Sequence, residues 1–156
     1  MALPDARAGL GPIIGVARGV IGMVHLAPLP GSPRWAGSID EVTRGAVSDA
    51  RALAEGGADA LLVENFHDVP FTAGRVDAAT VAAMAAVARR IADAAPLPLG
   101  INVLRSDGRS ALAVAVAVGA RFIRVNVHVG ATLTDQGIIQ GDAHVLLRER
   151  RLLGAQ

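Results

Sequence analysis

Cysteine, lysine and tyrosine are all missing from the 156 residues. Without cysteine there is no disulfide, no thiolate nucleophile and no sulfur ligand for a metal. Without lysine there is neither a Schiff-base amine nor a P-loop lysine, and all fifteen basic side chains are arginines. Without tyrosine there is no phenolic acid. Excess charge is also missing: fifteen arginines face fourteen acids, for a formal net charge of +1. The isoelectric point of about 9.0 is thus a near-balance. It is not the signature of a nucleic-acid-binding patch. Long apolar runs are lacking too. The longest, Ala111 to Ala120, is far shorter than the ~20 residues of a membrane span. The start of the chain, with Asp5 and Gly/Pro interruptions, does not read as a signal peptide. These absences predict a soluble cytoplasmic protein with no nucleic-acid partner and no transmembrane segment.

What is present is 52% hydrophobic and 19% charged, rich in Ala, Val and Gly. That composition and length suit one folded domain with a real core. Residues 1–18 read as a Gly/Pro-punctuated lead-in and 19–156 as the domain. Val20 to Leu26 reads as a first strand, followed by a stiff loop with prolines at 28, 30 and 33. Ser38 to Glu41 has the pattern of a capping box, opening a helix stopped by Gly56-Gly57. Ala60 to Asn65 reads as a second strand. The eleven-residue loop after it, Phe66 to Val76, is long for this kind of connection, and Asp77 is placed to cap the next helix. Leu99 to Leu104 reads as a third strand, then Asp107 as a cap and Ser110 to Val118 as an apolar helix. Gly119 to His128 reads as a buried fourth strand of strict alternation, Ile123, Val125 and Val127 against Arg124, Asn126 and His128. A loop from Val129 to Gly141 leads to a last helix, His144 to Leu153.

Four β-α units in series imply parallel strands joined by right-handed crossovers. A (β/α)₈ barrel takes ~250 residues, so the fold class expected here is a parallel (β/α)₄ half of such a barrel, from a truncated or split chain. Unpaired edge strands would then favour self-association.

The last inward residues of the strands are His25, Glu64, Asn102, Asn126 and His128, the candidate catalytic set. Imidazole and carboxylate suit acid/base work or a divalent metal, with His25, Glu64 and His128 the candidate metal ligands. The cofactor itself stays unknown. Arg105 and Arg124 suit a carboxylate or phosphate, and Asn65 and Asp135 complete the candidate substrate-binding set. Each has a plainer reading. Arg124 and Glu64 can be an ion pair bracing the sheet, and the histidines can be strand-end residues with ordinary hydrogen bonds. Asn102 and Asn126 can satisfy loop backbone. His67-Asp68 is either catalytic or solvated, and His144 an ordinary helix residue.

Gly22 to Pro33 (GMVHLAPLPGSP), Asp59 to Phe71 (DALLVENFHDVPF), Gly100 to Arg105 (GINVLR), Arg121 to His128 (RFIRVNVH) and Thr134 to Gly141 (TDQGIIQG) together closely resemble the BtpA family (BtpA/SgcQ-like proteins). The resemblance runs from about residue 18 to the end. It implies a TIM-type barrel of the ribulose-phosphate-binding kind with four further β-α units in full-length members. It also implies an enzyme acting on a small phosphorylated sugar or nucleotide-like metabolite, inactive as this fragment. The founding role in photosystem I accumulation gives the alternative, a non-enzymatic assembly factor. A third expectation is a degraded gene product that aggregates or dimerises.

Overall fold

The computed structural model describes Gly9 and residues 11–155. A short helix, α1 (Gly11–Ile14), lies within the expected lead-in, whose residues 1–8 and 10 fall outside the described residues. Then come β1 (Ile21–His25), α2 (Ile39–Glu55), β2 (Ala60–Glu64), α3 (Ala78–Ala94), β3 (Leu99–Asn102), α4 (Gly108–Val118) and β4 (Phe122–Arg124). A hairpin of β5 (Ala131–Thr134) and β6 (Gly137–Gln140) precedes α5 (Ala143–Leu152).

The main sheet is parallel in the order β1-β2-β3-β4. Each strand pairs with the next in sequence, so right-handed crossovers carry every helix to the same side. The core records this. Val24, Leu61, Val63, Leu99 and Ile101 pack with Val42, Ala46 and Ala50 of α2, Met84, Val87 and Ile91 of α3, and Ala111, Val114 and Val118 of α4. The result is an α/β unit compatible with half of a closed barrel. No helix among the described residues is long and apolar enough to cross a membrane.

Local chemistry explains most boundaries. The Ser38 hydroxyl accepts from the Glu41 N–H at 3.3 Å, capping α2. Glu41 does not complete the box; its carboxylate lies 3.8 Å from Arg44. Asp77 holds the N-cap position of α3, but its side chain makes no capping bond. Asp107 caps α4 fully, accepting from the Ser110 N–H at 3.0 Å and its hydroxyl at 2.6 Å. It also accepts from the Val76 N–H at 2.9 Å, tying down the long loop after β2. Gly119 ends α4 at φ 73°, a left-handed conformation that glycine takes without steric cost.

Two expectations need correction. The fourth strand is three residues long, and it is not buried: Arg124 and His128 are exposed, and Ile123 is half-buried. The ladder stops because other partners take the backbone. The Ser106 hydroxyl accepts from the Val127 N–H at 3.0 Å and donates to the Val127 carbonyl at 3.3 Å. The segment after it is an antiparallel hairpin rather than a loop, with Thr132 opposite Ile139 and Leu133 opposite Ile138.

Replacing Asp107 by Ala removes acceptors from two backbone N–H groups and a hydroxyl. We expect a loss of about 2 kcal/mol in urea unfolding. An unchanged midpoint would show that these bonds do not hold the loop to the helix.

Candidate functional site

Parallel register places His25, Glu64, Asn102 and Arg124 side by side, one on each of four strands. They sit at the strands' C-terminal ends, on the face turned away from the helices. The rung beneath is Met23, Leu62, Gly100 and Phe122. Phe122 lies over Gly100, where a Cβ would stand only 2.2 Å from the ring. Glycine at this position lets the aromatic ring floor the polar rung.

Glu64 is the centre of the arrangement, 3% exposed. One carboxylate oxygen accepts from Arg124 Nη1 at 3.2 Å, and the other lies 3.5 Å from His25 Nε2. The imidazole and guanidinium remain partly open to solvent, 37% and 51% exposed. A buried carboxylate is costly unless paired, and here Arg124 of β4 donates to it across β3 while His25 of neighbouring β1 stands 3.5 Å away. His25 also stacks on Phe66, with centroids 4.2 Å apart and planes 12° from parallel. His67 stands edge-on to both rings.

Asn102 is fully buried. Its amide nitrogen donates to the Arg124 carbonyl at 2.7 Å and to Asn126 Oδ1 at 3.0 Å. Its own Oδ1 has no partner. Such an orphan acceptor costs about 1–3 kcal/mol. The amide cannot be turned to relieve it, because both neighbours of the nitrogen are acceptors.

Asn65 takes a different part. Its Oδ1 accepts from the Leu104 N–H at 2.7 Å and its Nδ2 donates to Asp68 at 3.0 Å. Asp68 in turn accepts from the Leu29 N–H at 2.7 Å. The pair therefore ties together the loops after β1, β2 and β3. Arg105 and Asp135, both read as substrate-binding, face each other at 3.4 Å. Arg105 also reaches Gln136 at 3.3 Å and lies over the Phe71 ring at 4.9 Å. His128 lies beyond β4, exposed, where its carbonyl accepts from Ala143. No three His, Asp or Glu side chains among the described residues are grouped to hold a metal ion. His25, Glu64 and His128 are thus not gathered as a ligand set.

Sequence reasoning missed Phe66, Phe122 and Ser106. Phe66 and Phe122 left one faint signal: they are two of only four Phe and Trp residues, Phe66 two places after Glu64 and Phe122 two places before Arg124. Ser106 left none, because its partner Val127 is fixed only by tertiary folding.

Asn65→Leu strands the Leu104 N–H and frees Asp68. The expected loss is about 2–3 kcal/mol by denaturant titration. A loss under about 0.5 kcal/mol would mean that the three loops are held by other contacts.

A model of the BtpA family matches residues 16–156. The chain is 54% identical over 136 residues to the photosystem I biogenesis protein BtpA of Synechocystis, covering 87% of this chain and 47% of that protein. It is 53% identical to an uncharacterized protein of Thermococcus kodakarensis, covering 88% of this chain and 52% of the relative. An uncharacterized mitochondrial protein of Caenorhabditis elegans is 34% identical, with 88% and 51% covered. The chain spans about half the length of these relatives. No solved structure matches it. Similarity across nearly all of the domain, in bacterial, archaeal and animal proteins, places this chain in the BtpA family.

Proposed function

We propose that the chain is the first half of a TIM-type barrel enzyme, with residues 1–18 as a lead-in and 19–156 as the half-barrel. The complete barrel acts on a small phosphorylated sugar or nucleotide-like metabolite in the cytoplasm, and this half alone is inactive. The observation that carries the reading is the orphan Oδ1 of Asn102 within the rung of His25, Glu64 and Arg124. A fully buried acceptor beside a buried carboxylate calls for a donor, and substrate hydroxyls supply one.

In this reading the half-exposed Arg124 guanidinium holds the substrate's negative charge. His25 moves the proton, with its ring stacked on Phe66 and its Nε2 turned toward Glu64. Asn102 binds a hydroxyl and Asn126 holds the Asn102 amide in place. His128, beyond β4, and Asp135, at the β5–β6 turn, lie outside the rung, where they would contact bound substrate. Asn65 and Arg105 position the loops around it. A divalent metal would need ligands beyond this half.

A second reading is a biogenesis factor without catalysis. The Synechocystis relative, a photosystem I biogenesis protein, favours it. Such a factor would act through its outer surface rather than through the rung.

The test screens sugar phosphates and nucleoside monophosphates by thermal shift and turnover, on the full-length Thermococcus relative and on this chain. Turnover is expected from the full-length protein, falling by about 10²-fold when the residue matching Glu64 becomes Gln. The Asn102→Leu equivalent should chiefly raise KM for substrates carrying hydroxyls. Absence of any hit, or turnover unchanged in both variants, rejects the enzyme. Partner capture that survives both substitutions supports the biogenesis reading.

A further inference from the structure

We propose that the Phe66 ring is a shelf for the flat base of a nucleotide ligand whose phosphate lies toward Arg124. The inference rests on the reading of the rung as a small-molecule site and narrows it, choosing a nucleotide over a bare sugar phosphate.

The placing of the aromatic residues is the first observation. The chain has three phenylalanines and one tryptophan. Trp35 packs at the margin of the core between sheet and helices, but no phenylalanine belongs to that core. Phe122 lies under the rung against Gly100. Phe66 and Phe71 both stand in the loop after β2, the first stacked on His25 and the second beneath Arg105. Large rings are the natural filling of a core. Here all three lie below the rung or in a loop above it.

Phe66 is also held firmly. With His67 it forms the tip of a tight turn, closed where the Asp68 N–H donates to the Asn65 carbonyl at 3.2 Å and Asn65 Nδ2 donates to the Asp68 carboxylate at 3.0 Å. Asn65 accepts from the Leu104 N–H and Asp68 from the Leu29 N–H, so both ends of the turn are fixed to neighbouring loops. His25 covers one face of the Phe66 ring, and His67 stands at its edge, 5.5 Å away. The ring is nevertheless 43% exposed, which leaves its other face to a ligand. β2 lies between β1 and β3, so this opening belongs to an interior strand and not to a sheet edge.

The neighbours choose the ligand. A flat heteroaromatic ring extends an aromatic stack through its own π-face. A bare sugar has no such face and carries hydroxyls that a phenyl ring leaves unpaired. On the same side of the sheet the half-exposed Arg124 guanidinium suits a phosphate. The unpartnered Asn102 Oδ1 accepts from a hydroxyl. Base, hydroxyl and phosphate are the three parts of a nucleotide.

Isothermal titration of the 156-residue chain with adenosine monophosphate and with ribose phosphate tests this. The nucleotide should bind about tenfold more tightly, the ordinary scale of base–aromatic stacking. Phe66→Leu should abolish that preference and leave the affinity for ribose phosphate unchanged, while Phe66→Trp should keep it. The ring is already partly in solvent, so the circular dichroism of both variants should stay native. Equal affinity for the two ligands, a base preference that survives Phe66→Leu, or no nucleotide binding overturns the proposal. Turnover in the full-length Thermococcus relative separates it from the catalytic reading. Turnover of ribose phosphate with no gain from the base removes the shelf and leaves the enzyme standing. Base-dependent binding without turnover keeps the shelf and rejects the enzyme.

Discussion

The hand of the crossover connection governs this molecule. Each strand joins the next neighbour in the same direction, and a right-handed connection then has only one side available for its helix. Three such crossovers put α2, α3 and α4 on one face. The opposite face is left to Met23, Leu62 and Phe122 below and to His25, Glu64, Asn102 and Arg124 above. A doubly wound sheet would have covered that face with helices. Here His25 and Arg124 at the ends of the polar rung stay partly open to solvent, while Glu64 and Asn102 between them are buried.

Polar groups gathered there are stabilised only in part. Glu64 accepts from Arg124 through one oxygen, with His25 3.5 Å from the other. Asn102 is satisfied through its nitrogen and not through its oxygen. An apolar residue at 102 would avoid the orphan acceptor. Asn102 is thus a locally unfavourable group amid an otherwise consistent core. By contrast, Asn65, Asp68, Asp107 and Ser106 are fully engaged with backbone groups. They hold the loops around the rung in position. The two groups of polar residues look alike in sequence and differ only in whether their hydrogen bonds are complete.

Family membership does not assign the rung's chemistry. Relatives from a cyanobacterium, an archaeon and an animal share the domain at 34–54% identity. The name carried by the cyanobacterial protein refers to photosystem I biogenesis, whereas the other two carry no function in their names. A rung built from strand backbone register is a property of the fold's centre, whereas a docking surface would lie on the outer helices.

The sequence by itself determined the alternation of β1 to β4 with their helices, the parallel sheet and the Ser38 and Asp107 caps, but not α1 or the β5–β6 hairpin. These depend on hydrophobic periodicity and on contacts within a few residues. It also put His25, Glu64 and Asn102 at matching strand ends, but gave the fourth place to Asn126 and His128 with Arg124 one step deeper, whereas the register pairs Asn102 with Arg124. It misjudged Gly119 to His128, since alternation signals a strand's faces and not its neighbours. Only the tertiary structure showed that β4 is an edge and that Ser106 takes its ladder bonds at Val127. Only it showed that Arg105 is held by Asp135 and Gln136, and that Asn65 braces loops from three strands. Those outcomes rest on groups twenty or more residues apart competing for the same donors and acceptors, and chain folding alone decides which of them meet.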